Sequence, residues 1–339
     1  FSEKILGWLG LNIKHEEISA KIVRTSPNIN RIWKKRRSEL PDKNLIADII
    51  SKRPIENAAI LSKILSNDID VDRIDYLLRD LKFTGLGYSL NCDRLIQGLT
   101  SIKINNKKVI DTAIKEDYIA DANSLLLSRI LLRQHVYYEP IHRAAEVLIF
   151  NCLKETMERG GPSRFNNIDA KELQNKLFEM DDSALLYELM SASSKNQKLI
   201  TEIKQGKFYD FSMTLKWRQV SPYLQDKVIE SEKRSKPLEE NLKLCNEIRG
   251  ELSDHLSMDL DEIFVDIPEL ERLEEASMKV FTTRKEIIRL EDFSAIARSL
   301  KDAYREVWSL LVFIRSENAK KLDFNKMRKK INSYFSEYR

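Results

Sequence analysis

Residues that interrupt regular structure are scarce in this sequence. Nine Gly and eight Pro among 339 residues suit a mostly helical chain with short connections. Cysteine is scarcer still. Cys92, Cys152 and Cys245 are odd in number and far apart, which excludes zinc-ribbon and disulfide-framework readings and points to a reducing, cytoplasmic setting. The apolar runs are short: Leu125–Leu127 and Val147–Phe150 fall far below a membrane span. With no signal-peptide pattern either, no membrane association is expected. Charge of one sign is not in large excess, since 57 Lys and Arg against 53 Asp and Glu leave +4, too little to argue for nucleic acid on bulk charge alone. The histidines His15, His135, His142 and His255 show no paired metal spacing.

What is present is an ordinary globular composition, 42% apolar and 32% charged, in a chain long enough for one large domain or two smaller ones. One basic run is dense: Lys34, Lys35, Arg36 and Arg37 form either a solvated helix face or an anion-binding patch. Helical spacing is seen at 15–24, and at 43–65 with a break at Pro54. The clearest helix is 72–82. At about 100° per residue its face of Ile74, Leu77, Leu78 and Leu81 lies opposite Asp72, Asp75, Tyr76, Arg79 and Asp80. Gly85 and Gly87 end it. Asp93–Leu99 is a short helix, and 101–104 with 108–110 around Asn105-Asn106-Lys107 reads as a hairpin. Residues 118–158 form one long helix or two, divided at Pro140. Gly160-Gly161-Pro162 is the strongest break, so the chain divides into 1–160 and 161–339. Helices follow at 169–180 and 182–206, then strands at 262–267 and 277–283, a helix at 293–304, a strand at 310–314 and a basic amphipathic tail. The expected fold is mainly α, a helical domain with a smaller C-terminal α+β part.

Three groups of residues carry chemical interest. Asp70, Asp72, Asp75 and Asp80 fall within eleven residues, with Arg73, Tyr76 and Arg79 among them. Carboxylates at a helix start suit the dipole and pair with Arg at short spacing, so a capped helix with a solvated face fits. The alternative is carboxylates binding a metal beside Arg and Tyr holding an anion, and spacing alone does not decide it. Arg129, Arg133 and Tyr137 recur every four residues and drift only about 40° per step. That stripe suits phosphate binding or a row of salt bridges. His15, at the head of His15-Glu16-Glu17-Ile18-Ser19, is by itself a surface or capping residue.

Together these segments resemble a known family. Asp70-Val71-Asp72-Arg73-Ile74-Asp75-Tyr76-Leu77-Leu78-Arg79-Asp80 resembles the DxD(K/R)xDYxxRD signature of HD-domain phosphohydrolases. That superfamily includes the dGTP triphosphohydrolases and the SAM-and-HD-domain dNTP triphosphohydrolase. Ser128-Arg129 through Val136-Tyr137 resembles the family's AR…VY helix, and His15-Glu16 its HE…S segment. A looser likeness runs through 181–186 and 264–267. The resemblance implies an HD-type helical core in 1–160. It places Asp72 on the aspartate completing a His, His-Asp, Asp site for a divalent metal (Mn, Mg, Fe or Zn). Arg73 and Arg129 fall on phosphate-holding positions, Tyr76 on the sugar pocket and Asp80 on the 3′-hydroxyl ligand. Tyr137 falls on the residue packed where a 2′-hydroxyl would project, His15 beside the scissile phosphate and Asp70 on a nearby acidic position. The implied reaction is metal-dependent hydrolysis of a deoxynucleoside triphosphate to deoxynucleoside and triphosphate, by a homo-oligomer.

The sequence departs from the family pattern in two ways. The early His and the His-Asp pair would precede Phe1, leaving Asp72 alone of the four ligands. Arg133, counted with the substrate-binding residues, stands where many relatives have His, and Glu139 where VYxH has its His, which opens the question of base preference. Two other functions fit the residues. One is an HD phosphohydrolase acting on a different nucleotide or phosphate ester. The other is a catalytically inactive nucleotide- or nucleic-acid-binding module that uses the 34–37 run and the basic tail (Lys320, Lys321, Lys326, Arg328, Lys329, Lys330).

Overall fold

The computed structural model describes residues 14–53, 59–65, 67–87, 90–103, 110–159, 172, 176, 180–233, 237–270, 273–317, 319 and 322–334. In chain order the elements are α1 (His15–Thr25), α2 (Pro27–Lys35), α3 (Lys43–Ile50), α4 (Ala59–Leu65), α5 (Val71–Thr84), α6 (Cys92–Gly98), β1 (Leu99–Lys103), β2 (Ile110–Lys115), α7 (Ile119–Leu132), α8 (Pro140–Arg159), α9 (Asp182–Ala192) and α10 (Ser194–Lys204). Then come β3 (Phe211–Lys216), α11 (Pro222–Ser231), α12 (Pro237–Leu256), β4 (Ile263–Asp266), β5 (Lys279–Phe281), β6 (Ile287–Arg289), α13 (Leu290–Phe293), α14 (Ala295–Val307), β7 (Ser309–Ile314) and α15 (Phe324–Tyr334). The protein is mainly α, as expected.

Most helix limits have a local cause. Asp70 caps α5 by accepting from the Arg73 N–H, and Gly85 stops it in the left-handed region at φ 68°. Pro140 opens α8, where a missing N–H costs nothing. Between α7 and α8 the turn Arg133–Tyr137 is π-helical, so the 3.6-residue period behind the 129–133–137 stripe does not hold across it. The single helix expected at 182–206 is two. Ser193 is extended (φ −158°, ψ 155°), and its side chain accepts from the Asn196 N–H to start α10 afresh. The short strands β3 and β6 have no counterpart in the sequence reading. Pro54, the 105–107 turn, the 160–162 break, Lys320 and Lys321 lie outside the described residues, as does the 169–180 helix except at 172, 176 and 180.

The chain gathers into two compact units, each assembled from separated stretches. The first takes in Tyr137–Leu270 and Trp308–Arg339. Its centre is an antiparallel sheet in the order β3-β7-β4. Every residue of β7 is buried, because both faces of the sheet are covered. Leu310, Val312 and Ile314 join a core with Met213, Leu215, Trp217 and Ile263. Leu311 and Phe313 face Ala144, Val147 and Leu148 of α8, with Phe313 stacked on Phe264 at 4.9 Å. Arg143 of α8, 2% exposed, fastens this layer: its Nε donates to the Asp266 carboxylate at 2.7 Å and its Nη1 to the Ser309 carbonyl at 2.8 Å.

The second unit comprises Ile13–Val136 and Glu271–Val307. Its sheet runs β1-β2-β5-β6. The expected hairpin β1-β2 is antiparallel, and β2 then pairs in parallel with β5, Ile114 opposite Val280. The β structure is thus not confined to the C-terminal part, because a hairpin from residues 99–115 and one from 279–289 complete a single sheet. Helices α5 and α7 bury Leu77, Leu81, Leu125 and Leu126 in this unit.

Candidate functional site

The site residues predicted from the sequence sit mostly in the second unit, around the start of α5. Asp70 is buried, and its carboxylate is consumed locally. It accepts from the N–H of Arg73 at 2.8 Å and from that of Asn67 at 3.3 Å, and lies 3.5 Å from the Arg73 guanidinium. It therefore fixes the 67–70 turn and aims the first turn of α5. Arg73 is held from several sides. Its Nη1 donates to the carbonyls of Asn67 and, at 3.1 Å, Asp68, and its Nε lies 3.0 Å from the carboxylate of Glu275.

Glu275 organises the site. It lies in the 3-10 turn Glu274–Ser277 and is fully buried. The same oxygen that meets Arg73 also pairs with Arg129 of α7. Both contacts are ionic, neither carboxylate oxygen meeting hydrogen-bond geometry. Arg73 and Arg129, two of the three arginines read from the sequence as substrate-binding, are thus brought to one buried anion. A carboxylate in such a place is tolerable only when paired, and two guanidinium groups, 22% and 15% exposed, supply that pairing. They also keep an edge toward solvent. No sequence signal marked Glu275, because Glu274-Glu275 looks like part of a solvated acidic stretch.

A second cluster backs the 67–70 turn. Asp111 of β2 accepts from Lys279 of β5 at 2.7 Å and lies 3.5 Å from Lys63 of α4. Burial pushes its carboxyl up, but the Lys279 and Thr112 hydrogen bonds and the nearby lysines outweigh burial and hold it below its ordinary value. Asp68 is the opposite case. Burial raises its carboxyl above the ordinary value against the pull of Lys279 and Arg73. Asn67 ties the same turn to the sheet by donating to Thr112 Oγ1.

The remaining predicted residues fall into three groups. Asp72, Tyr76 and Asp80 share α5 with Arg73, Asp72 exposed and the other two half-buried. Arg133 is turned to another task, its guanidinium lying 5.5 Å from the centre of the Tyr304 ring. Tyr137 closes the π-helical turn and is half-buried. His15 opens α1 beside Glu16, 3.5 Å away, and Glu16 takes Lys52 with its other oxygen at 2.7 Å; neither contact involves Glu275 or its arginines. Asp75 and Arg79 pair four residues apart on the exposed face, the bland reading of those two charges.

A divalent cation needs several hard or borderline donors converging on one point. Among the described residues no three His, Cys, Asp or Glu side chains gather in that way, and Asp72 is a lone exposed carboxylate in the first turn of its helix. The residues described do not fit the metal site that the resemblance implied. What they do form is an anion-facing cluster. The first unit has a cavity of about 250 Å³ lined by Phe150, Lys154, Asn241, Cys245, Arg249 and Phe264, among others, and none of the predicted site residues borders it. Among the described residues, no helix is long and apolar enough to cross a membrane.

Comparison with known proteins adds family context. Residues 90–331 match the family described as the HD associated region. An uncharacterized protein of Methanocaldococcus jannaschii is 28% identical over 283 residues, 81% of this chain and 55% of that protein. An uncharacterized protein of Bacillus subtilis is 24% identical over 202 residues, 57% of this chain and 44% of that protein. The chain spans about half the length of these curated relatives. Among solved structures, a phosphohydrolase from Bacteroides thetaiotaomicron superposes with a TM-score of 0.61 at 15% identity, covering 93% of this chain and 76% of its own. A hypothetical protein from Aquifex aeolicus gives 0.59 at 16% identity, covering 97% and 83%. At such identities the likeness establishes a shared fold.

Proposed function

Because this chain belongs to the family of the HD associated region, we propose that it is the substrate-holding part of an HD-type phosphohydrolase whose substrates are deoxynucleoside triphosphates. The observation that carries this reading is the convergence of Arg73 and Arg129 on the buried Glu275. Guanidinium groups already fixed in direction lose little freedom on meeting a phosphate, and their planar forks suit its oxygens. The phosphohydrolase fold shared with the Bacteroides protein supports the chemical class. The choice of deoxynucleotide rests on the sequence likeness at Tyr76, Asp80 and Tyr137. Arg73 and Arg129 neutralise charge on the phosphates, and Asp80 receives the sugar hydroxyl.

Binding and product identity test the proposal separately. Titration with each dNTP and the matching NTP is expected to give saturable binding that prefers the deoxy form. Arg73→Ala or Arg129→Ala should weaken it at least tenfold, while Asp75→Ala leaves it unchanged. With Mn²⁺ or Mg²⁺ present, phosphorus NMR of any turnover should show inorganic triphosphate as the phosphate product. Failure of every dNTP to bind, singly or mixed, or release of pyrophosphate or orthophosphate instead, would overturn it.

A further inference from the structure

Two stretches of the sequence are locally basic, residues 27–44 and the tail from Lys320. Residues 27–44 carry six cations, Arg31, Lys34, Lys35, Arg36, Arg37 and Lys43, against Glu39 and Asp42. Six minus two leaves +4 within eighteen residues.

The fold displays this charge instead of pairing it. Helix α2 buries no residue. Lys34 to Arg37 are all exposed, and neither they nor Arg31 meet a carboxylate among the described residues. Lys43 has a different job: it donates to the Arg24 carbonyl at 2.9 Å and to the Asn30 side chain. Trp33 Nε1 donates to the Pro41 carbonyl at 2.9 Å, folding the chain back after α2. Asp42 caps α3. These bonds shape a cleft of about 610 Å³ bordered by Asn30, Trp33, Lys34, Arg37, Pro41 and Asn44. Lys34 and Lys35, in the last turn of α2, are favoured by the helix C-terminus. That effect does not reach Arg31, and Arg36 and Arg37 lie beyond the helix end.

We propose that residues 27–44 form a docking surface for single-stranded nucleic acid. The unpaired cations follow the phosphates, and Trp33 with Pro41 offers a flat apolar face to a base. Duplex keeps its bases stacked and gives Trp33 nothing to meet. A membrane-surface helix needs an exposed, continuous apolar face, whereas of the apolar Ile29, Ile32 and Trp33 in α2 the first and last are half-buried and Ile32 alone is exposed. The five cations Arg31, Lys34, Lys35, Arg36 and Arg37 can meet about four phosphates. This surface is independent of the reading given for Arg73 and Arg129.

Fluorescence anisotropy with a labelled twelve-nucleotide thymidine strand is the direct test. The slope of log K against log salt is expected near −3, from about 0.7 per phosphate. Changing Lys34, Lys35, Arg36 and Arg37 together to Gln should weaken binding at least thirtyfold at 50 mM salt and bring the slope close to zero, with circular dichroism unchanged. A control changing Lys326, Arg328 and Lys329 of α15 to Gln removes nearly as much charge elsewhere and should keep most of the affinity. Equal loss in both variants would overturn the proposal. So would binding to phosphatidylserine vesicles without binding to the strand.

Discussion

A single buried carboxylate decides the arrangement of the arginines. Removing Glu275 leaves the Arg73 and Arg129 guanidinium groups facing one another without a counter-charge. Breaking a buried pair in this way costs about 3–5 kcal/mol. The lower end is expected here, because both arginines are partly exposed. Urea unfolding of Glu275→Ala should show the loss. Tripolyphosphate should restore more stability to the variant than to the parent, since an anion binding the folded state alone stabilises it by mass action. Equal stabilisation of both would mean that the two arginines do not face a shared anion site. Asp68 gives a prediction of opposite sign. Burial raises its folded-state carboxyl above the ordinary value of 3.8, so the fold favours the protonated form. The stability it lends is present below about pH 4 and lost as pH rises through its folded value. Asp68→Asn is therefore expected to be more stable than the parent at neutral pH, with the difference closing in acid. Asp111, held below 3.8 chiefly by Lys279 once burial is overcome, works the other way. Its contribution is present at neutral pH and is lost as pH falls below about 4, so Asp111→Asn destabilises at pH 7 and not in strong acid. Thermal melts across pH 3 to 7 check both.

Among the elements, α6 shows how a helix end can be fixed by something other than its own sequence. A Cβ on Gly98 would sit 2.6 Å from the Tyr118 Cβ and 2.7 Å from the Ile114 Cδ1. The Tyr118 Cβ is anchored to backbone and cannot swing aside. Alanine is the better helix former by about 1 kcal/mol, but overpacking of this kind costs about 1–3 kcal/mol, so Gly98→Ala should lose stability on balance. Gly250, inside α12 with open space around it, is the control, and Gly250→Ala should gain a few tenths to about 1 kcal/mol. A matched result at the two positions, in denaturant melts, would contradict the packing argument. The helices themselves were largely legible. The spacing of Ile74, Leu77 and Leu81 and the glycine at 85 delimit α5 to within a residue or two, because capping and amphipathic period are local properties. The split at Ser193 and the π-helical turn at 133–137 were not. The first depends on a side-chain hydrogen bond that competes with helix, the second on a local widening that the residue pattern does not encode.

For the molecule as a whole, what the sequence concealed is long-range pairing. Both sheets join strands far apart in the chain, β2 with β5 and β3 with β7, and Glu275 lies 146 and 202 positions from the arginines it gathers. The predicted residues Asp70, Arg73 and Arg129 could be chosen from motif and spacing, yet their shared counter-charge could not, since an acidic pair in a polar stretch carries no mark of burial. Arg143 is the same case in the first unit. In the sequence it is one cation on a long helix. In the fold it reaches Asp266 and Ser309, 123 and 166 positions onward, and joins α8 to β4 and β7. Arg143→Ala would strand the Asp266 carboxylate, 16% exposed, and release the Ser309 carbonyl. A cost of about 3–5 kcal/mol is expected for breaking such a pair. Trp217 and Trp308 lie edge to face at 5.3 Å within the same unit, so their emission reports on it directly. With Trp8 and Trp33 changed to Phe, Arg143→Ala should shift the denaturant midpoint of that emission downward, whereas Arg143→Lys, which keeps the charge but not the fork that spans Asp266 and Ser309, should recover only part of the loss. Full recovery by lysine would show that charge alone, and not the two-strand span, holds the layer together.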